Sequence, residues 1–157
     1  MTHQTRKAQL DDVKNIHRLV NRFADQGRML ALSLSELYDN VRDFTVVSGD
    51  DGRLLGCCVL HIVWEDLAEV RSLAVAEDAQ HRGIGAQLVQ ACLQEARALG
   101  VPRVFALTYV PDYFARFGFA PVDKSTLPHK VWADCVKCPK FPDCDEVAVA
   151  LDFASEA

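Results

Sequence analysis

The sequence predicts an α/β fold, with helices and a mixed β-sheet, in a single domain over residues 1–157. Three observations lead to this prediction. A chain of 157 residues is long enough for one substantial core and suits one domain. Residues 69–100 read as a buried strand, a short loop and a long amphipathic helix. The remaining patterns give the overall order strand, two helices, three strands, helix, strand, helix, strand.

Local signals support each element. Asp11 or Asp12 is expected to cap the first helix, and Ser33 with Glu36 forms a capping box for the second. Pro111 suits the first position of a short helix. In chain order the predicted elements are strand 5–8, a helix from residue 11 up to Gly27, helix 33–41, strand 44–47, turn 49–52, strand 54–63, strand 69–75, helix 83–99, strand 103–107, helix 111–116 and strand 146–153.

The long helix is the clearest of these elements. Its apolar residues recur at helical spacing and predict one buried stripe, and Gly100 stands where a helix commonly ends in a left-handed residue. The residues of the stripe are Ile84, Leu88, Val89, Cys92, Ala96 and Leu99. In the preceding strand, the period of two places Glu69, Arg71, Leu73 and Val75 on one face.

The turn into this helix carries two glycines, Gly83 and Gly85. Glycine lets a ligand approach the backbone closely, and the free N–H groups of a first helical turn attract anions. A pyrophosphate fits such a site. The turn lacks the Gly-Lys-Ser/Thr of phosphate loops and the three glycines of the dinucleotide fingerprint, so it is neither of those motifs.

Composition narrows the class of protein further. The net charge of −5, from 17 basic and 22 acidic residues, argues against nucleic acid or an anionic membrane as the main partner. No apolar run approaches the roughly 20 residues of a membrane span, and the N-terminus lacks the apolar core of a signal peptide. We therefore expect a cytoplasmic protein whose six cysteines are mostly reduced.

The pattern Gln80-x-x-Gly-x-Gly-Ala, after a strand ending Leu-Ala-Val, resembles the acetyl-CoA motif of the GNAT N-acetyltransferases. The element order and the sequence Phe117-Gly118-Phe119 resemble the same superfamily. The resemblance implies about six to seven strands with helices on both faces, splayed fourth and fifth strands, and acetyl-CoA as co-substrate. The residues expected to bind it are Leu73, Ala74 and Val75 through their backbone, followed by Gln80, His81, Arg82, Gly83, Ile84, Gly85 and Ala86.

A closer resemblance covers nearly the whole chain. Residues 33–44, 64–75, 104–119 and 127–146 are similar to the short, single-domain bacterial N-acetylglutamate synthases of arginine biosynthesis. This resemblance implies that the acceptor is the α-amino group of L-glutamate. Two other readings stay open: a GNAT acetyltransferase for a different amine, and a non-catalytic acetyl-CoA-binding module with a cysteine-rich interaction loop.

Glu69 is the expected general base, because the attacking amine must lose a proton and the resemblance places a glutamate here. Many relatives use a tyrosine to assist the leaving thiolate, but Phe114 stands at that position. Thr108, which matches a hydroxyl residue of the glutamate synthases, is our first choice for this role and Tyr113 our second. The alternatives are an ordinary strand-end hydroxyl and an aromatic lining the substrate.

An acceptor with two carboxylates requires cations. Arg71 shares the predicted face of Glu69 and is expected to bind a carboxylate, although an ion pair with Glu69 competes with that role. Lys130 and Arg116 are further candidates. The resemblance places an arginine at the position of Leu32, and Arg28 is the residue that would replace its charge.

The cysteines divide into two groups. Cys57, Cys58 and Cys92 lie in strand and helix patterns and are expected in the core. A closed zinc site and a proline-stiffened loop of reduced thiols are equally supported for the set His129, Cys135, Cys138 and Cys144, and zinc is not expected to be needed for catalysis. His61 and Trp64 either line the acceptor cleft or pack in the core. The sequence leaves a homodimer open.

Overall fold

The structure is a computed structural model that describes residues 3–128 and 146–153. Within these residues it has four α-helices and seven strands, together with several short 3-10 turns. The helices are α1 (Val13–Asp25), α2 (Leu34–Asp39), α3 (Ile84–Leu99) and α4 (Pro111–Ala115). The strands are β1 (His3–Lys7), β2 (Phe44–Gly49), β3 (Leu54–Trp64), β4 (Leu67–Val75), β5 (Arg103–Thr108), β6 (Ala120–Pro121) and β7 (Val147–Asp152).

The seven strands form one mixed sheet in the order β1-β2-β3-β4-β5-β7-β6. Strands β1, β2 and β3 pair antiparallel, and β7 pairs antiparallel with both β5 and β6. Strands β4 and β5 are parallel, with Ala68 opposite Val104 and Glu69 opposite Phe105. The predicted mixed α/β sheet is therefore confirmed. The separation of β4 from β5 beyond Glu69 stays a prediction.

The chain divides into two compact units, of which the first comprises Met1–His61 and Val70–Glu95. Its core joins α1, β2, β3 and the first three turns of α3. The fully buried side chains there include Val13, Ile16, Val20, Val46, Val47, Cys57, Cys58, Leu88, Val89 and Cys92. The three cysteines are thus in the core, as predicted.

The second unit comprises Ile62–Glu69 and Ala96–Ala157. Its core is a cluster of residues from β3, β4, β5 and β7 with one loop residue, and it consists of Val63, Leu67, Phe105, Leu127, Ala148 and Ala150. Phe114 of α4 is also buried and meets the ring of Phe119 edge-on at 5.3 Å between centroids. Such aromatic packing fixes the short helix α4 after β5.

The end of α3 corrects one prediction. Leu99 is 62% exposed and not part of the buried stripe. Gly100 is left-handed at φ 85°, and its N–H donates to the carbonyl of Arg97 while the N–H of Val101 donates to that of Ala96. These two bonds form a Schellman turn, which brings the residue after the glycine back toward the helix. The buried apolar residue at this end is consequently Val101.

The caps of the first two helices differ from each other. The Ser33 hydroxyl accepts from the N–H of Glu36, as predicted for α2. The Asp12 carboxylate does not cap α1, because it accepts the N–H of Gln9 and two bonds from the Arg6 guanidinium at 2.7 and 3.0 Å. The guanidinium holds the pKa of Asp12 below its usual range. This carboxylate therefore ties β1 to the start of α1.

Gly56 of β3 lies where the sheet and α3 approach each other closely in the first unit. A Cβ at this position would lie 3.0 Å from the Ala74 carbonyl oxygen, 3.0 Å from the Leu88 side chain and 3.2 Å from that of Ile84. Only a residue without a side chain fits there without a shift of its neighbours. Since Ile84 belongs to the first turn of α3, Gly56 sets how that turn sits on the sheet.

We expect Gly56→Ala to lower the free energy of unfolding by about 1–3 kcal/mol, because an added methyl group overpacks a filled space. Urea denaturation measures this change. Gly49→Ala is the matched control, since its Cβ would meet chiefly the end of the flexible Asp51 side chain, at 3.3 Å. An equal effect of both substitutions would show that the close packing at Gly56 is not the cause.

Candidate functional site

The turn before α3 presents backbone amides as the sequence predicts. His81 and Gly83 are left-handed, at φ 66° and 79°, which turns the chain sharply into the helix. The N–H of Gln87 donates to the Gly83 carbonyl at 3.1 Å. The amides of Ile84, Gly85 and Ala86 precede this bond and have no helical carbonyl four residues before them. Aligned N–H groups at the positive end of a helix, here of 16 residues, are chemically suited to an anion.

Side chains hold the segment that leads into this turn. The Gln80 amide donates to the Val75 carbonyl at 3.1 Å, and the Arg53 guanidinium pairs with Asp78. The Arg82 guanidinium donates to the Asp78 carbonyl at 3.1 Å. Gln80 and Arg82, both predicted to bind the cofactor, therefore brace the turn in this structure. His81 and Arg82 are exposed.

Strand β4 contains an irregularity that the sequence did not reveal. Ser72 is left-handed at φ 54°, a backbone conformation that costs a residue with a side chain of order 1–3 kcal/mol. The predicted alternation of Glu69, Arg71, Leu73 and Val75 on one face is interrupted here. After the irregularity, Leu73 and Val75 are half-buried, and Ala74, the third expected backbone contact to the cofactor, is buried.

Two buried thiols support this irregular segment. The Sγ of Cys57 donates to the Ser72 carbonyl at 3.5 Å, and the Sγ of Cys58 donates to the Arg71 carbonyl at 3.7 Å. Burial raises the pKa of the Cys57 thiol to about 12. The thiol therefore stays protonated at neutral pH and remains a donor.

A cavity of about 90 Å³ in the first unit is lined in part by Arg71. Its lining combines the loop before α2, α2 itself, the start of β2, and strands β3 and β4. The lining residues are Leu32, Glu36, Leu37, Asn40, Asp43, Phe44, Val59, His61, Arg71 and Ser72. His61 thus lies at the cavity, whereas Trp64 is 61% exposed and does not line it. The volume suits part of a small ligand or several waters.

Leu32 is held in place by a residue that sequence reasoning missed. The Asn21 side chain accepts the N–H of Leu32 at 3.1 Å and donates to its carbonyl at 3.0 Å. A side-chain amide that bonds both backbone groups of one residue fixes its position on the cavity wall. The two residues are 11 apart in sequence, and an asparagine inside a helical pattern gives no signal for such a pairing.

The remaining basic candidates have other partners or lie outside the described residues. The Arg28 guanidinium stacks over the Phe23 ring at 4.9 Å and donates to Gln26, and it does not line the cavity. The Arg116 guanidinium lies 5.5 Å from the Tyr113 ring centroid. Lys130 falls in the stretch 129–145, which the structure does not describe.

Glu69 and Thr108 both lie in the second unit and are among its buried polar residues, with exposures of 6% and 7%. Glu69 stands opposite Phe105 in the pairing of β4 with β5. The hydroxyl oxygen of Thr108, at the end of β5, accepts the N–H of Val110 at 2.9 Å. A carboxylate loses its hydration when it is buried, and this loss is costly. A buried glutamate such as Glu69 is therefore a better candidate for a functional role than an exposed one.

The two aromatic residues of α4 differ in burial and in contacts. Phe114, at the position of the superfamily's tyrosine, is buried and contacts Phe119 and Tyr113 edge-on. Tyr113 is half-buried and also meets Phe117, with 5.5 Å between ring centroids. A phenylalanine suits position 114, since its ring is buried and contacts two other aromatic rings.

The predicted zinc alternative cannot be placed. His129, Cys135, Cys138 and Cys144 all fall outside the described residues. Over residues 3–128 and 146–153, no three or more His, Cys, Asp or Glu side chains are grouped so as to hold a metal ion. In the same ranges, each helix is too short or too polar to cross a membrane.

Known proteins resemble both the sequence and the fold. An uncharacterised N-acetyltransferase of Chlorobaculum tepidum is 38% identical over 144 residues, which is 92% of each chain. The amino-acid acetyltransferase of Mycobacterium tuberculosis is 37% identical and covers 81% of this chain, which spans 74% of that protein.

Among solved structures, N-acetylglutamate synthase from Neisseria gonorrhoeae, complexed with coenzyme A and N-acetyl-glutamate, superimposes with a TM-score of 0.88 at 26% identity. The match covers 98% of this chain and 35% of that one, so the similarity concerns about a third of the synthase. Residues 10–119 match the acetyltransferase (GNAT) family. The strand, amide-rich turn and helix of residues 67–99 lie inside that match, and the chain belongs to the GNAT acetyltransferase family.

Proposed function

We propose that this chain transfers the acetyl group of acetyl-CoA to the α-amino group of an amino acid, with L-glutamate as the acceptor. Membership of the acetyltransferase family and the similarity to an amino-acid acetyltransferase support the reaction class. The similarity to a glutamate synthase solved with N-acetyl-glutamate supports the acceptor. The observation that carries the proposal is that Arg71 lines a small cavity of about 90 Å³, together with the basic residue His61.

Acetyl-CoA would bind through the turn before α3. The amides of Ile84, Gly85 and Ala86 are suited to the pyrophosphate, because they are free of helical bonds and the helix dipole favours negative charge. Leu73, Ala74 and Val75 would offer backbone groups to the pantetheine arm, which pairs like an added strand. The relative solved with coenzyme A supports this assignment of the co-substrate.

Arg71 would hold a carboxylate of the acceptor. A guanidinium makes two parallel hydrogen bonds to a carboxylate, so a half-buried arginine in a small cavity is well suited to orient an amino acid. Leu32 occupies the wall where the resemblance expects a second arginine. Glutamate would therefore bind with one cation fewer and with a raised KM. Lys130 is also proposed for the acceptor, and Arg28 and Arg116 would have to leave their aromatic partners to reach it.

The reaction would proceed by direct attack. Glu69 takes a proton from the ammonium group, directly or through a water, and the neutral amine attacks the thioester carbonyl. The C–S bond then breaks, the nitrogen gives up its second proton to solvent, the new amide keeps the acetyl group, and CoA leaves as a thiolate that solvent protonates to the thiol. Thr108, or in its place Tyr113, donates a hydrogen bond to that thiolate. Release of one thiol for each amide formed balances the reaction.

The alternative is a non-catalytic acetyl-CoA-binding module. One assay distinguishes it from the enzyme. Thiol release from acetyl-CoA, measured with a panel of amino acids, detects transfer without assuming the acceptor. Release that depends on one amino acid supports the enzyme. Tight binding of acetyl-CoA without release supports the module.

We expect Glu69→Gln to keep the affinity for acetyl-CoA and to lower kcat by about 10²–10⁴-fold, the usual contribution of a general base. The loss should be smallest at high pH, where more of the amine is already neutral. Steady-state rates across pH measure it, and the exposed Glu65→Gln is the matched control. A pH–rate profile identical to that of the unmodified chain would remove Glu69 from the mechanism.

We expect Thr108→Val to lower kcat more than Tyr113→Phe, with little change in either KM. Thr108→Ser, which keeps the hydroxyl, should retain most of the activity and so separates the hydroxyl from the packing of the methyl group. Rates at saturating substrate decide between the two residues. Small and equal effects of the valine and phenylalanine substitutions would show that neither hydroxyl assists the thiolate.

We expect Leu32→Arg to lower the KM for glutamate at least several-fold and to leave that for acetyl-CoA unchanged. A charged partner for a partly buried carboxylate contributes on the order of 2–5 kcal/mol, and Asn21 holds the backbone of Leu32 at the cavity. Leu30→Arg is the matched control, since Leu30 is 47% exposed and does not line the cavity. No gain with glutamate, together with robust activity on a less acidic amine, would contradict glutamate as the acceptor.

A further inference from the structure

The acceptor cavity carries more negative charge than a site for a dicarboxylate would suggest. Arg71 is its permanent cation, and His61 is a second, titratable basic residue. Two carboxyl groups line the same cavity, Glu36 of α2 and Asp43 just before β2. Glu36 is exposed and open to screening by solvent, whereas Asp43 is half-buried. Asp43 is therefore the carboxyl whose charge acts most strongly inside the cavity.

Charged residues on five elements surround Asp43. Burial raises its pKa, and the charges of His61 on β3, Lys7 on β1 and Arg71 on β4 lower it. Glu95 of α3 acts in the raising direction and also pairs with Lys7 at 3.0 Å, which reduces the influence of that lysine. Glu36 of α2 shares the cavity. Arg71 and His61 are thus the basic groups nearest to the space that an acceptor would fill.

We propose that Asp43 is a specificity-determining residue of this cavity, which shares Arg71 with the acceptor and disfavours an acceptor that brings a second carboxylate. This inference rests on the proposed transfer to an amino acid, and it makes glutamate a weakly bound acceptor without excluding it. An α-carboxylate at Arg71 is common to all amino acids, so Asp43 affects its binding equally in each. A second carboxylate on the side chain adds like-charge repulsion within a small cavity, where solvent screens less than in bulk water.

Leu32 strengthens this effect. Leu32 lines the cavity and carries no charge, so a second carboxylate has no additional cation to bind at this position. An acceptor of the same size as glutamate but with an uncharged carboxamide keeps the bond to Arg71 and escapes the repulsion. Glutamine is that acceptor, and comparison of the two amino acids isolates the effect of one charge.

The test is the ratio of kcat/KM for glutamate to kcat/KM for glutamine, at saturating acetyl-CoA, in the unmodified chain and in Asp43→Asn. We expect the substitution to raise this ratio about tenfold, chiefly through a lower KM for glutamate, as removal of one nearby like charge would do. Asp43→Glu keeps the charge and should keep the ratio near its original value. Asp39→Asn is the matched control, because Asp39 is exposed on α2 and does not line the cavity.

Each other outcome contradicts the inference in a distinct way. An unchanged ratio with activity on both amino acids would show that Asp43 does not sense the side-chain charge. An equal rise of both KM values in Asp43→Asn would show that Asp43 only orients Arg71. Should Asp43→Asn not fold, Glu36→Gln tests the same repulsion at an exposed residue and should shift the ratio in the same direction by less. Absence of transfer to any amino acid in the unmodified chain would overturn the proposed function itself, and this inference with it.

Discussion

The close packing of α3 on β3 at Gly56 is the constraint on which the first unit depends. The space above Gly56 is filled by the Ala74 carbonyl and by the side chains of Leu88 and Ile84, so the first turn of the helix has one position on the sheet. An anion site made of backbone amides has no side chains that adjust to the ligand. The precision of the proposed site would therefore come from the packing beneath it, to which a residue without a side chain in β3 contributes.

The irregular backbone at Ser72 also depends on buried side chains. A left-handed residue within a strand interrupts the regular ladder, and buried carbonyl groups need donors. The thiols of Cys57 and Cys58 donate to the carbonyls of Ser72 and Arg71. These cysteines fill the core as any small apolar residue would, and they also satisfy backbone groups that alanine would leave without this partner. Sequence reasoning assigned them the first role alone.

Much of the fold and part of the site could be predicted from local patterns. Six of the seven strands, the α3 helix, the Gly100 cap and the glycine turn follow from residues within a few positions of each other, whereas the two-residue strand β6 was not predicted. The clamp of Asn21 on Leu32, the left-handed Ser72 and the place of Asp43 in the cavity depend on contacts across 11 or more residues or on strand pairing. Periodicity and motif spacing carry no information on such contacts, so these residues emerge only from the structure.

The replacement of the superfamily's tyrosine by Phe114 bears on how the leaving group would be stabilised. A thiol has an ordinary pKa near 8.5, low enough for CoA to leave the acetyl group as a thiolate before its sulfur is protonated. A threonine hydroxyl is far too weak an acid to protonate it but is able to donate a hydrogen bond. The oxygen of Thr108 accepts the Val110 N–H, which occupies one lone pair, and the hydroxyl keeps its own proton as a donor. Under the proposed mechanism, Thr108 would therefore stabilise the thiolate as a hydrogen-bond donor and not as a general acid.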